Sequence, residues 1–534
     1  MIEKIRIQGY RIFQDFVLQP NERLNLIVGA NESGKSTLIE AMTLCLTGRI
    51  NGRWASEELN PYWFNTQLAE AFLKGRKAGE PVGWPQIKIE LFFSDQDEIQ
   101  YLSGAHNSDL PTRACPGISL TVAPNPEYAD ELEAWAANTP SHLLPVEFFE
   151  VDWRSFADHR LTNRPRGLVT ALIDTRTVRS SSGVDYHMRE ILRDQLEPSD
   201  RANVSLAYRE TKAAMSGGAL KAINERMAKN HETLHGRPIG LAMDQTARTS
   251  WEGAVTPHVE DVPFSMAGQG QQAAIKISLA LRRHSERASF VMIEEPENHL
   301  TFAALGVLIG RMETLAGEQQ QLFVTTHSSF VLNRLGLDTL HLISAGQYSK
   351  LTTLSPDTVR YFQKLPGYDT LRMVHADRIV LVEGPSDEIV FERAFSGLHG
   401  CRPLAAGIDV LSVRGLSFAR CLELCQALGK TVAVIRDNDG LDPGELRADL
   451  DGWLEDGSRQ VFIGSPEAGP TLEPQLIHVN GVDKIRDILG ISERADVEKW
   501  MTRQKTEAAI RIAEYDGELI FPGYISEAAA FIRA

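Results

Sequence analysis

The segment Gly29–Ser36, G-A-N-E-S-G-K-S, constrains this chain more than any other. It reads as glycine, four residues, then Gly-Lys-Ser, and it stands between the strand-like run RLNLIV and the helical run STLIEAMTLCL. A strand feeding a glycine loop that opens a helix gathers free backbone N–H groups around a phosphate. Gly29 and Gly34 let the backbone curl, Lys35 adds a fixed cation for β and γ phosphates, and Ser36 offers a hydroxyl to magnesium. Asn31 and Thr37 complete the candidate nucleotide-binding loop. Alone, such a string also reads as a glycine-rich turn.

Its companions decide between the two readings. The run FVMIEEPENHL is a buried strand ending in acids, where Glu294 is expected to hold magnesium and Glu295 to activate water. In isolation it would equally be an acidic helix start. Upstream, Gly268, Gly270 and Gln272 open a helix whose backbone N–H groups suit a γ-phosphate; downstream, QLFVTTHSS puts His327 at a strand end. A lone histidine there would usually be structural. Taken in order, the set resembles an ABC-type ATPase of the SMC/RecF branch, with a G-x-G-x-Q signature in place of LSGGQ and Glu294 in place of the Walker B aspartate. The resemblance implies ATP and Mg²⁺ as cofactors and at least a head-to-tail homodimer, in which each signature completes the partner's site.

A chain of 534 residues exceeds one hydrophobic core and implies several units of roughly 100–200 residues. Apolar residues at 43% and charged residues at 24% exclude a disordered chain. The net charge of −16 argues against whole-surface attraction to nucleic acid, though not against a local basic groove. Five scattered cysteines without C-x-x-C spacing fit a reduced, cytoplasmic setting, and no apolar run suits a membrane span.

Four segments are expected: 1–152, the first part of the ATPase; 153–242, a polar helical insertion suited to dimerisation; 243–368, the rest of the ATPase; and 369–534, a second α/β unit. In the last, RIVLVEG ends in Glu383, Asp387 follows at a helix start, and TVAVIRDND ends in Asp437-Asn438-Asp439. Strand C-termini of a parallel sheet converge on one edge, so these acids collect where a divalent cation relieves their repulsion. Oxygen ligands suit Mg²⁺ or Mn²⁺. Alone, D-N-D-G is a surface turn.

Glu383, Gly415 after the next strand, and the Asp437/Asp439 pair resemble the Toprim domain, a Rossmann-like parallel sheet. TLEPQL with Glu473, the helix led by Lys505, and the terminal FPGYISEAAAFI are similar to nucleases of the OLD (overcoming lysogenization defect) family. That resemblance implies Glu383, Asp387, Asp437, Asp439 and Glu473 as metal ligands, with Glu383, Asp437 and Asp439 also catalytic, and Lys505 beside the scissile phosphate. Without it, Lys505 is a solvated helix residue. Arg11 and Arg414 stay with that bland reading.

The expectation is an ATP-regulated, metal-dependent DNA endonuclease or nickase, which the resemblance places in antiphage defence or nucleic-acid processing, with DNA, its own copies and, in a defence role, a second defence protein as partners. A non-cleaving ATP-driven DNA clamp or sensor is the alternative. A topoisomerase would need a tyrosine nucleophile, and Tyr515 and Tyr524 lack a recognisable partner domain; no primase motif is present.

Overall fold

A computed structural model describes residues 1–50, 52–109, 114–138, 143–174, 196–229, 233–234, 237–246, 251, 258–268, 270–272, 274–275, 277, 289–298, 300–315, 320–344, 346–351, 354–365, 370–413 and 417–534. The chain divides into two compact α/β units: Met1–His327 with Ile343–Tyr348, and Ser328–Leu342 with Ser349–Ala534.

Two large sheets dominate the first unit. One is antiparallel, in the order Phe13–Leu18, Ile2–Tyr10, Ile87–Phe93, Cys115–Pro124, with Phe149–Ser155 also paired to Cys115–Pro124. Alternation explains it: Ile5 and Ile7 point inward while Arg6 and Gln8 stay partly exposed. The second runs Val169–Asp174, Ser289–Glu294, Gln320–Thr325, Leu24–Val28, all parallel, and continues through residues 343–348. Its strands are near-continuous apolar runs because both faces are covered.

Helix Lys35–Thr47 contributes Leu38, Met42 and Leu46 to a core that includes Ile5 and Phe16 of the first sheet and Phe290 and Phe323 of the second. Each such side chain contributes about 1.5–3 kcal/mol on burial. The helix is fixed at its far end, where the Trp153 indole N–H donates to the Cys45 carbonyl at 2.8 Å.

The segment expected to be a helical insertion differs in its first part. Phe149–Ser155 and Val169–Asp174 are strands of the two sheets, and among the described residues the helices of the segment are Pro198–Gly217 and Ala219–Lys229. The polar composition around 198–229 dominates that stretch of sequence and hides two partly polar strands before it. Most of the helix expected at 273–286 lies outside the described residues, as do Arg414 and Gly415.

The second unit centres on a four-stranded parallel sheet, ordered Ile408–Ser412, Arg378–Val382, Thr431–Arg436, Arg459–Ile463. Helices Pro385–His399, Lys505–Glu514 and Gly523–Arg533 cover it through Phe391, Phe395, Ile512, Ile525 and Ala529. The two central strands end together, so the loops after residues 382 and 436 face each other at one edge.

Candidate functional sites

In the first unit, register sets the geometry. Glu294 pairs with Thr325, and Thr325 with Ile27, so the acidic strand end, the strand leading to His327 and the strand leading to Gly29 finish side by side. The loop at 29–36 is tightly wound. Glu32 has φ 64° and Gly34 φ 111°; a Cβ on Gly34 would lie 2.8 Å from Phe13 Cζ, and one on Gly29 would lie 2.2 Å from the Ile343 carbonyl oxygen. Lys35 is buried, and its ammonium donates to the carbonyls of Gly29 at 2.7 Å and Ala30 at 2.8 Å. Asn31 is exposed; Ser36 and Thr37 sit half-buried in the first helical turn.

Glu294 is buried at its strand end, and Glu295 follows in the left-handed region, φ 46°, its amide donating to the Thr325 carbonyl at 2.9 Å. Its carboxylate accepts from Asn298 Nδ2 at 2.8 Å and lies 3.7 Å from His327 Nε2. Glu297, which the sequence quoted but gave no role, accepts from the Thr326 hydroxyl at 2.9 Å and the His327 amide at 2.6 Å, while its other oxygen is buried without a partner. Burial raises its pKa above the ordinary glutamate range. Gln272 turns inward, its side-chain amide donating to the Ala267 carbonyl at 2.8 Å and its backbone amide to the Gly268 carbonyl at 3.0 Å; Gly270 stands in the same helical turn.

In the second unit, Glu383 and Asp437 follow the two central strands, and the Asp437 amide donates to Glu383 Oε1 at 3.0 Å. Asp387, at the start of helix Pro385–His399, accepts from the Gly384 amide at 2.9 Å. Asn438 is fully buried and donates to the carbonyls of Gly464 and Gly469, which holds the loop; Asp439, at φ 50°, is exposed. Glu473 is buried, accepts from the Thr471 hydroxyl at 2.7 Å, and lies 3.4 Å from Lys505 Nζ.

The acids act on one another. Burial, then the charges of Asp387, Glu383 and Glu473, push Asp437 up to about 8, with Lys505 opposing. Burial raises Asp387 to about 6, with the charge of Glu473 adding to it, and raises Glu383, with Asp387 and Asp439 adding to it. Among the described residues, no three acidic, histidine or cysteine side chains are drawn into a metal cage. The chemistry of the donor set is nevertheless that of a hard cation: five carboxylates, no thiolate or imidazole, and protons held where a cation would replace them.

Comparison with known proteins names both units. Family models for an AAA domain match residues 4–105 and for an AAA ATPase domain residues 188–332; a third, the TOPRIM domain of overcoming lysogenization defect-like proteins, matches 375–439. The chain therefore joins an AAA-type, ATP-binding ATPase domain to a TOPRIM domain. That TOPRIM domain is of the overcoming lysogenization defect (OLD) protein-like kind, as the sequence motifs suggested.

A stretch of 47 residues is 45% identical to structural maintenance of chromosomes protein 5 of Arabidopsis thaliana, covering 9% of this chain and 4% of that protein. Similar solved structures include the C-terminal region of the Burkholderia pseudomallei OLD protein, at 23% identity over 30% of this chain and 97% of that one, TM-score 0.25. The SMC head domain from Thermotoga maritima matches at 14% identity over 65% and 98%, TM-score 0.28. No described helix is long and apolar enough to cross a membrane.

Proposed function

We propose that this protein is an ATP-regulated, divalent-cation-dependent DNA endonuclease or nickase. The single observation that carries the reading is the carboxylate group at the end of the TOPRIM sheet. Glu383 and Asp387 of one strand-to-helix turn, Asp437 and Glu473 come together from three segments, with the Asp437 amide bonded to Glu383 and Lys505 3.4 Å from Glu473.

Glu383, Asp387, Asp437, Asp439 and Glu473 would hold Mg²⁺ or Mn²⁺, which when bound supplies a nucleophilic water at neutral pH and neutralises the leaving oxygen of a phosphodiester. Lys505 neutralises charge on the scissile phosphate. In the ATPase, backbone N–H groups of 29–36 and Lys35 hold the ATP phosphates, Ser36 and Glu294 face magnesium, Glu295 orients water, and His327 reads the γ-phosphate from the strand between them. Gly268, Gly270 and Gln272 serve the site of a second copy, so the working form is a homodimer or larger. Antiphage defence, with a second defence protein as partner, is the setting this reading proposes, and the OLD-like domain supports it.

The test incubates supercoiled and linear DNA with Mg²⁺ or Mn²⁺, with and without ATP, using wild type, Glu383→Ala and Lys35→Ala. Cutting that Glu383→Ala abolishes and Lys35→Ala changes only in its response to ATP supports the reading. ATP hydrolysis without cutting under either metal replaces it with a DNA clamp or sensor.

A further inference from the structure

Tyr524 is the second residue of the terminal helix Gly523–Arg533, which packs on strand Thr431–Arg436. The side chain is 6% exposed, and its hydroxyl oxygen is buried with no hydrogen-bond partner. The helix lies against the strand that leads to Asp437, and the phenol is within reach of the charges of Asp437, Asp387, Glu383 and Glu473. Leaving a buried hydroxyl unpaired costs roughly 1–3 kcal/mol, and native proteins keep such groups where a ligand, ion or water completes them.

The neighbouring carboxylates are each held by the chain itself. Glu383 accepts from the Asp437 amide, Asp387 from the Gly384 amide, and Glu473 is held by Thr471 and Lys505. A phenol carries its proton at neutral pH, so Tyr524 offers the site one O–H donor. Although the carboxylates keep further acceptor capacity, none of them takes the Tyr524 hydroxyl.

We propose that Tyr524 is a positioning residue of the carboxylate site, its hydroxyl donating to an oxygen in the hydration shell of the divalent cation that the acids hold. This rests on the metal reading above. The hydroxyl orients that oxygen without ligating the cation, and so adds to affinity and order while leaving the ligand set unchanged.

The test is Mn²⁺ titration calorimetry on the full chain without nucleotide, for wild type, Tyr524→Phe and Glu383→Ala, with thermal unfolding of each with and without Mn²⁺. Tyr524→Phe keeps the ring and removes only the hydroxyl. It is expected to weaken Mn²⁺ binding roughly three- to tenfold, to reduce the stabilisation Mn²⁺ gives, and to leave metal-free stability unchanged or higher. Wild-type Mn²⁺ affinity in Tyr524→Phe overturns the role, as does lower metal-free stability with an unchanged response to Mn²⁺. Wild type that binds Mn²⁺ no better than Glu383→Ala overturns the metal reading itself, and this role with it.

Discussion

The backbone amide of His327 donates to the carboxylate of Glu297 at 2.6 Å, which ties the strand after Thr325 to the loop after Glu294. The same oxygen takes the Thr326 hydroxyl, and the histidine ring ends 3.7 Å from Glu295. Glu297→Ala strands the hydroxyl of the buried Thr326 and leaves the His327 amide without its acceptor, a loss of roughly 1–3 kcal/mol, and releases His327 from Glu295. ATP affinity should hold while phosphate release slows, by about tenfold or more. Glu297→Gln, which keeps an acceptor oxygen, should restore most of the rate. Nucleotide titration beside a phosphate-release assay separates the two effects.

Gly34→Ala should abolish ATP binding. The backbone there is left-handed, and the added methyl meets the Phe13 ring, itself packed on Phe16. Binding of a fluorescent ATP analogue measures the loss; retention of wild-type affinity would show that the loop tolerates the change.

The Asp437 carboxyl gives the metal-free protein a pH dependence of definite sign. It titrates near 8 in the folded chain and near ~3.9 when unfolded. Between those values the native state binds a proton that the unfolded chain has lost. This group's stabilising contribution is therefore full below about pH 4 and disappears as pH rises through about 8. Metal-free protein should melt lower at about pH 8.5 than at about pH 6, and Asp437→Asn should recover about 2–4 °C at the higher pH. Thermal scans in chelator at both pH values check it. Mn²⁺ must displace that proton, so its affinity should rise up to about tenfold per pH unit toward pH 8.

Lys505→Met removes the cation that lowers both Asp387 and Asp437. Mn²⁺ binding should shift to higher pH, and DNA cleavage should fall about a hundredfold while ATP hydrolysis is unchanged. Lys505→Arg should keep the pH profile of Mn²⁺ binding near wild type. Calorimetry across pH, read with plasmid nicking, distinguishes loss of charge from loss of fold.

The sequence displayed the parts of each site that are contiguous. Gly29–Ser36 carries its own loop chemistry, and Glu294, Glu383 and Asp437 each close an apolar strand, so their place at a sheet edge follows from pattern alone. Glu297 and Tyr524 were not readable in that way. Glu297 acquires its contacts only because Glu294 pairs with Thr325, a register that no local pattern states. Tyr524 reaches the acids by the docking of a terminal helix, and along the chain it is one apolar-face residue among FPGYISEAAAFI. The strands at 149–155 and 169–174 were hidden for a related reason: their polar residues blend into the charged helices that follow.

Asn438 makes the TOPRIM site two-sided. By anchoring the loop to the carbonyls of Gly464 and Gly469 it commits its flanking aspartates to opposite surroundings, Asp437 buried and Asp439 in solvent, while the half-exposed Lys505 reaches in to the buried Glu473. The dry side is a floor, fixed by the fold and costly to charge. On the nuclease reading proposed above, the wet side is the entrance, where a polyanion too large to be engulfed would lay one phosphate against the exposed part of Lys505 and leave the rest of its length outside.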